Sequence, residues 1–151
     1  PDAKVQRCLV HIQRMCLIWL TRFPKHIAGQ ELRSLVLMLL KIKTENDKTF
    51  WIQEFNQWFS KHKEYINEKT FNQETDRYWY THKLLRRSYS TIKSALPNMF
   101  HYLQNSNIPK TTNGIEGYFS HLKNHLDIHR GLTTKNRMNF IKWYVFLTNE
   151  K

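Results

Sequence analysis

The sequence predicts a mainly α-helical fold, and three observations support that prediction. Apolar residues recur at three- and four-residue spacing along most of the chain. Helix-start residues and prolines separate these periodic stretches. Hydrophobic residues make up 40% of the 151 residues and aromatic residues 14%, which is typical of a folded domain with a core rather than of a disordered tail.

The first elements predicted are a short strand and two helices. Residues 3–8 predict the strand, and a helix follows from Leu9 until Pro24 ends it. The apolar stripe of this helix is formed by Leu9, Ile12, Cys16, Trp19 and Phe23. A second helix is predicted over residues 29–43, where leucines and Val36 form a broad apolar stripe.

The third predicted helix carries an aromatic stripe. It starts near Asn46 and Asp47, which are good N-cap residues, and runs to about Tyr65. The stripe consists of Trp51, Phe55, Trp58 and Phe59. We assign these rings to core packing rather than to a surface that stacks on bases.

The rest of the chain predicts an exposed loop and three further helices. The polar residues 68–77 predict the loop, and a helix follows over residues 79–96. Pro97 suits the first turn of a short continuation through residue 102. After a loop over 104–110, helices are predicted over 112–126 and 134–148, with Gly131 as a turn residue between them.

Positive charge lies on both sides of one acidic segment. The formal net charge is +12, with +6 in residues 1–43, −3 in 44–76, +6 in 77–110 and +3 in 111–151. Such a field favours polyanions through phosphate contacts and counterion release. An anionic membrane surface is the weaker alternative, because we find no helix cleanly divided into basic and apolar faces. The longest apolar run, residues 35–40, is too short to span a bilayer.

Cys8 and Cys16 bear on redox setting and on metal binding. On one helix, their eight-residue separation corresponds to about 12 Å of rise, beyond disulfide reach, which predicts a reducing, intracellular setting. Cys8 and His11 form a C-x-x-H pair. A Cys/His₃ zinc site would be completed by His121, His125 and His129. We do not expect zinc there, and expect instead a buried Cys8 and a hydrogen-bonded His11.

A basic segment interleaved with aromatic residues precedes the C-terminal helices. Residues 77–115 contain no acid, and the positive charges in this segment are Arg77, Lys83, Arg86, Arg87, Lys93 and Lys110. This pattern suits contact with the DNA backbone, with rings able to stack on unpaired bases. The alternative is that Trp79, Leu85 and Tyr89 pack inward while the charges are merely solvated. We favour DNA contact because no acid offsets the charge.

Glu116 lies in the first turn of the helix predicted over 112–126. A lone carboxylate in a basic neighbourhood suggests a metal ligand acting on a nucleic acid, although the helix dipole alone also favours an acid there. Its helix face continues with Ser120, Lys123 and Asp127, and a neighbouring face predicted to pack inward consists of Ile115, Phe119, Leu122 and Leu126. Two-metal phosphoryl transfer needs further carboxylates, and Asp127 is about three turns away, too far to share the ions.

Four segments in this order resemble a known family. They are Val5-Gln6-Arg7-Cys8-Leu9-Val10-His11, Tyr80-Thr81-His82 through Arg87-Ser88-Tyr89, Asn107-Ile108-Pro109 through Glu116, and Phe119-Ser120-His121-Leu122-Lys123 with His129-Arg130-Gly131-Leu132. The series resembles the C-terminal part of insertion-sequence transposases of the Mutator-like group. These enzymes have an RNase H-like DDE catalytic domain, and they cleave and join transposon-end DNA by two-metal phosphoryl transfer.

The resemblance implies three parts of an incomplete enzyme. Residues 1–12 would hold the end of the last core strand and the C-x-x-H pair, 13–110 an all-helical insertion, and 111–151 the returning core helix and the C-terminal helix. Glu116 would be the third acid of the DDE triad and would bind Mg²⁺ or Mn²⁺ with two upstream Asp that are not in this chain. Asp2 lies too close to the C-x-x-H pair to be the second of them. We therefore expect a truncated enzyme that is inactive by itself.

The resemblance also implies the partners. They are double-stranded DNA, both at transposon ends and at the target site, and further copies of the chain. No membrane is expected as a partner. The expected location is the cytoplasm of a bacterium, in association with the nucleoid. Glu116 is assigned to catalysis and metal binding. The residues we assign to DNA contact are Arg86, Arg87, Lys83, Lys123, Arg130, Lys135 and Arg137. The alternative is a non-catalytic helical module, left from a transposase, that binds DNA or pairs subunits. A zinc-stabilised helical domain is a third interpretation.

Overall fold

The computed structural model describes residues 5–149 and is mainly helical, which confirms the predicted fold class. Its elements in chain order are α1 (Leu9–Leu20), α2 (Ile27–Met38), α3 (Glu45–Asn67), β1 (Lys69–Asn72), β2 (Arg77–Tyr80), α4 (Lys83–Ala95), α5 (Asn113–Ile128) and α6 (Thr134–Asn149). Short 3₁₀ turns lie at Leu39–Lys41, Leu96–Asn98 and His101–Leu103. The chain divides into two compact units, residues 1–111 and 112–151. Their assignment to an insertion and a returning core helix stays a prediction.

The core of the first unit is built from one face of each of α1 to α4. It includes Leu9, Ile12, Cys16 and Leu20 from α1, Leu32 and Val36 from α2, Trp51, Phe55, Trp58 and Ile66 from α3, and Tyr89 and Ile92 from α4. The core role predicted for the aromatic stripe of α3 is therefore confirmed. Phe59, the fourth ring of that stripe, is half-buried and stacks on Tyr89 with the ring centroids 4.3 Å apart.

Side chains from several elements satisfy the carbonyl groups at the end of α2. A helix leaves its last carbonyls without intrahelical donors. Here the donors are the Trp51 indole to Leu35 O (2.8 Å), the Gln13 amide to Val36 O (3.0 Å), Lys110 Nζ to Leu40 O (3.1 Å) and the Tyr102 hydroxyl to Ile42 O (3.0 Å). Burial raises the pKa of Tyr102 to about 12. The end of α2 is thus tied to three other parts of the unit.

The starts of α2 and α3 are defined by side-chain caps. At α3, the Asp47 N–H donates to Thr44 Oγ1 (3.1 Å) and the Thr44 N–H donates to Asp47 Oδ2 (2.9 Å), which is a capping box. At α2, the Ala28 N–H donates to His26 Nδ1 (3.1 Å), so this helix begins two residues before the predicted position. Gly29 packs so closely there that a Cβ on it would lie 2.8 Å from Pro24 Cβ.

Glu31 joins α2 to α3 through two partners. Lys61 Nζ lies 2.5 Å from Glu31 Oε1, and His62 Nε2 lies 2.7 Å from Glu31 Oε2. Hydrogen bonds from Lys61 and then from His62 hold the pKa of the Glu31 carboxyl below its ordinary value of 4.5. His62 is a buried polar residue of this unit, so Glu31 gives its ring a hydrogen-bond partner.

Residues 68–77, predicted as a loop, contain most of a β-hairpin. β1 and β2 pair antiparallel, with Lys69 opposite Tyr80 and Asn72 opposite Arg77. The Asn72 side-chain oxygen accepts the N–H of Glu74 (2.8 Å), which tightens the turn between the strands. The prediction was wrong because the polar turn residues dominate the stretch, while β-forming aromatic residues lie at its edges. For the same reason, α4 begins after β2 and not at residue 79.

Two predictions near the N-terminus were also wrong. Residues 5–8 form no strand, and the remainder of the predicted strand, residues 3 and 4, lies outside the described residues. The Arg7 N–H instead donates to Asn98 O (2.7 Å), and the Gln6 amide donates to Met99 O (2.7 Å), so this segment is held by the turns that follow α4. Phe23 was predicted to belong to the stripe of α1, but this helix ends at Leu20 and Phe23 is 80% exposed.

The second unit consists of α5 and α6. The hydroxyls of Tyr118 and Thr148 lie 2.8 Å apart, and the ring of Tyr144 packs edge-on against Tyr118 at 5.5 Å. The face of α5 predicted to pack inward is buried in part. Leu122 is buried and Leu126 half-buried, whereas Ile115 and Phe119 are 55% and 57% exposed. A pair of helices offers too little apolar surface to cover that whole face.

Candidate nucleic-acid interface

The candidate interface begins with β2, whose side chains alternate between the two faces of the hairpin. Trp79 lies on one face, and Tyr78 and Tyr80 lie on the other, because successive strand residues point in opposite directions. Tyr78 packs on its cross-strand neighbour Phe71, with the ring centroids 4.5 Å apart. Trp79 contacts the start of α4, where Lys83 Nζ lies 5.8 Å from the centre of its ring.

Lys83 and Arg87 form one basic edge of α4. They are four residues apart, so they lie on the same face of the helix, and both are exposed. The Arg87 guanidinium lies over the ring of Trp19 from α1, 4.5 Å from its centre. Each cation is therefore held against a tryptophan ring, which limits its motion while leaving its donors accessible. We call Trp19, Trp79, Lys83 and Arg87 the basic–aromatic edge.

Arg86 lies away from this edge. Its guanidinium stacks on Tyr80 at 3.7 Å from the ring centre and donates to the side-chain oxygen of Asn67 at the end of α3. Arg86 is half-buried by these contacts. The structure thus separates the two arginines predicted as the first DNA contacts. Arg87 belongs to the basic–aromatic edge, and Arg86 connects the hairpin to the helices.

A groove of about 570 Å³ lies beside the basic–aromatic edge. Its walls include Trp19, Lys25, His26, Tyr65, Trp79, His82 and Lys83. Tyr65 is stacked between two imidazoles, with its ring centre 3.8 Å from that of His26 and 3.7 Å from that of His82. His82 Nε2 is 2.8 Å from Glu68 Oε2, which fixes the last ring of the stack. Among the described residues, none that lines this groove is acidic.

The start of α4 adds to the positive field of the groove. The first turn of the helix contains no acid, and the preceding His82 makes no side-chain cap. The N–H groups of a first helical turn have no intrahelical acceptor, and the helix dipole is positive at that end. Lys83, Leu84 and Leu85, the first residues of α4, all line the groove. The field there favours anions.

The other predicted site residues lie in the second unit. Glu116 is exposed in the first turn of α5, and the Thr112 hydroxyl donates to its carboxylate. The Arg130 Nε–H donates to Asp127 O (3.1 Å) just after α5. The predicted DNA contacts on α5 and α6 are exposed; they are Lys123, Lys135 and Arg137.

Cys8 and His11 lie at the start of α1. Cys8 is its N-cap residue and is half-buried, which is less than predicted, and His11 is exposed. Neither cysteine forms a disulfide, and burial raises the pKa of the Cys16 thiol to about 11. Within residues 5–149, no three or more His, Cys, Asp and Glu side chains form a group able to hold a metal ion.

Sequence reasoning missed several parts of the groove. Trp19 was assigned to the core from its spacing along α1, and its ring indeed lies at the edge of that core. His26 and Tyr65 lie far apart in the sequence and were given no role. No local signal relates them, because their stacking depends on how α2 and α3 pack.

Comparisons with protein-family models, with curated proteins and with solved structures find no match for this chain. Within the part of the chain that the structure describes, no helix is long and apolar enough to cross a membrane. Any functional assignment therefore depends on the residues and geometry of the chain itself.

Proposed function

We propose that this chain is the DNA-binding, C-terminal part of a transposase of the Mutator-like group, and that the basic–aromatic edge contacts the DNA backbone. The observation that carries the proposal is the exposed pair Lys83 and Arg87, held on Trp79 and Trp19. No acid occurs between residues 78 and 115 to neutralise this pair in the sequence. Phosphates are the ligands such a surface attracts, whatever the base sequence.

The experiment is salt-dependent binding of a short blunt DNA duplex, measured by fluorescence anisotropy. The double variant Lys83→Ala/Arg87→Ala removes two phosphate contacts, so the slope of log affinity against log salt should fall by about 2. The matched control is Lys48→Ala/Lys63→Ala, which removes the same charge from α3. An equal loss in both double variants would mean that net charge alone attracts the DNA, and would contradict the proposal.

The catalytic part of the proposal concerns Glu116 in the intact transposase. Glu116 lies exposed in a first helical turn, where it can supply one carboxylate to a divalent-metal site completed by two Asp from the rest of the enzyme. Glu116→Gln should abolish cleavage of transposon ends and leave end binding intact. Cleavage retained by that variant would remove Glu116 from the catalytic site.

A second candidate function is subunit assembly, and the exposed apolar residues of the second unit favour it. They include Phe119, Trp143, Phe146 and Leu147 on α5 and α6, each more than half exposed. Apolar surface of this extent on a small helical unit is typical of an interaction site. Light scattering should then show a dimer that Phe119→Ser/Phe146→Ser dissociates, and a monomer at all concentrations would exclude this function.

A further inference from the structure

We infer that the groove beside the basic–aromatic edge binds one unpaired nucleotide of a DNA strand. This inference rests on the proposed DNA-binding function and names the kind of DNA that the site prefers. Three features of the groove carry it: its aromatic walls, its volume and the sign of its charge.

The aromatic walls offer rings on which a base can stack. Trp79 lines the groove and is 37% exposed, so part of its ring is accessible to a base. His26, Tyr65 and His82 also line the groove as one stack, in which the two imidazoles cover the faces of Tyr65. Stacking on protein rings tolerates any base, because every base has a flat π-face.

These rings are held in place without a ligand. The Ala28 N–H donates to His26 Nδ1 at 3.1 Å, and Glu68 Oε2 lies 2.8 Å from His82 Nε2. The two imidazoles in turn hold Tyr65 between them. A base that enters therefore meets walls that lose little conformational entropy, and preorganisation of this kind raises affinity.

The volume and charge fit a nucleotide rather than an uncharged aromatic molecule. A groove of about 570 Å³ lies within the range of small-ligand pockets, which is about 300–1,000 Å³. Lys25 and Lys83 line it, and no acidic residue in the described chain does. A base inside the groove would leave its phosphate near these ammonium groups. A base that is stacked and paired inside a duplex cannot enter the groove, so a blunt duplex lacks this stacking contact.

The test compares two fluorescent probes: a blunt duplex of about 20 base pairs, and the same duplex with a single-stranded overhang of about four nucleotides. The chain should bind the overhang probe more tightly. Trp79→Ala should remove about 5- to 150-fold of affinity for the overhang probe, the range measured for loss of one stacked base. It should cost the blunt duplex less affinity, because Lys83 loses its ring but keeps its charge. Trp79→Phe keeps a ring and should keep most of the preference.

The matched control is Tyr78→Ala, which removes the neighbouring ring on the other face of the hairpin. It should retain the preference for the overhang. A 2-aminopurine placed in the overhang should lose fluorescence on binding to wild type and to Trp79→Phe, because stacking quenches this base. This second measurement decides the question even where Trp79→Ala fails to fold.

The outcomes separate this inference from the proposed function. Equal affinity of wild type for both probes would overturn the groove inference and leave DNA binding in place. Failure to bind either probe would overturn the proposed function. An equal loss of preference in Tyr78→Ala and Trp79→Ala would show that the hairpin as a whole matters, and would also overturn the inference.

Discussion

Replacing Trp51 by phenylalanine tests whether the end of α2 is held by side-chain donors. Trp51 is 1% exposed, and its indole N–H donates to Leu35 O at 2.8 Å. The helix tightens at that point, because the Leu39 N–H donates to Val36 O. Phenylalanine keeps an aromatic ring in the core but removes this donor.

The expected loss has two parts. A buried acceptor that loses its donor costs about 1–3 kcal/mol. The void left when a phenyl ring replaces the indole adds about 1 kcal/mol. Trp51→Phe should therefore lower the free energy of unfolding by about 2–4 kcal/mol, a large share of the roughly 5–15 kcal/mol typical of a domain.

The assay is urea unfolding followed by far-ultraviolet circular dichroism. With a slope of about 1–3 kcal/mol per molar urea, the midpoint should fall by roughly 1–2 M. The control is Trp143→Phe, because Trp143 is 63% exposed and should tolerate the same exchange. A loss below about 1 kcal/mol, or one equal to that of the control, would refute the role given to the indole N–H.

Three further predictions follow from packing and pKa. In thermal unfolding, Gly29→Ala should destabilise the chain by about 1–2 kcal/mol, because a Cβ there would lie 2.8 Å from a carbon of Pro24. The control is Gly117→Ala on α5, where the added Cβ meets nothing within 4 Å and should stabilise the chain by up to about 1 kcal/mol. The pKa of Glu31 is lowered in the folded chain, so its stabilising contribution is present above about pH 4.5 and is lost as the pH falls through the lowered pKa. Glu31→Gln should remove that pH dependence in urea titrations. In a Cys8→Ser variant, Cys16 should resist iodoacetamide at pH 8 until the chain unfolds, because a pKa of about 11 leaves roughly one thiol in 1,000 ionised.

Each of these predictions has a result that contradicts it. Equal stability of Gly29→Ala and wild type would mean that the turn before α2 moves aside at no cost. If Glu31→Gln loses unfolding free energy at low pH just as wild type does, the pH dependence arises from other carboxylates. Rapid alkylation of native Cys16 would show that α1 opens without global unfolding.

The helices of the first unit could be predicted from the sequence because their signals are local. The apolar spacing of α1 and the aromatic stripe of α3 each identify the face that is buried. The hairpin could not be predicted, because its strands are only four residues long and the polar residues of its turn dominate the stretch. The DNA-binding role of the candidate site stays a prediction. Lys83, Arg87 and Trp79 stood out in the sequence by charge and aromatic pattern, whereas Trp19 could not be recognised as the ring beneath Arg87.

The sequence by itself determined the mainly helical class, the core role of the α3 aromatics and the concentration of positive charge around α4. These properties depend on residue type and on spacing of three or four along the chain. The tertiary structure alone decided that Arg87 packs on Trp19, which lines the groove, and that Arg86 packs on Tyr80, which does not. It also decided that His26, Tyr65 and His82 form one stack. Those outcomes depend on how three helices and a hairpin pack together, because rings stack when they are close in the folded chain, even if they are far apart in the sequence.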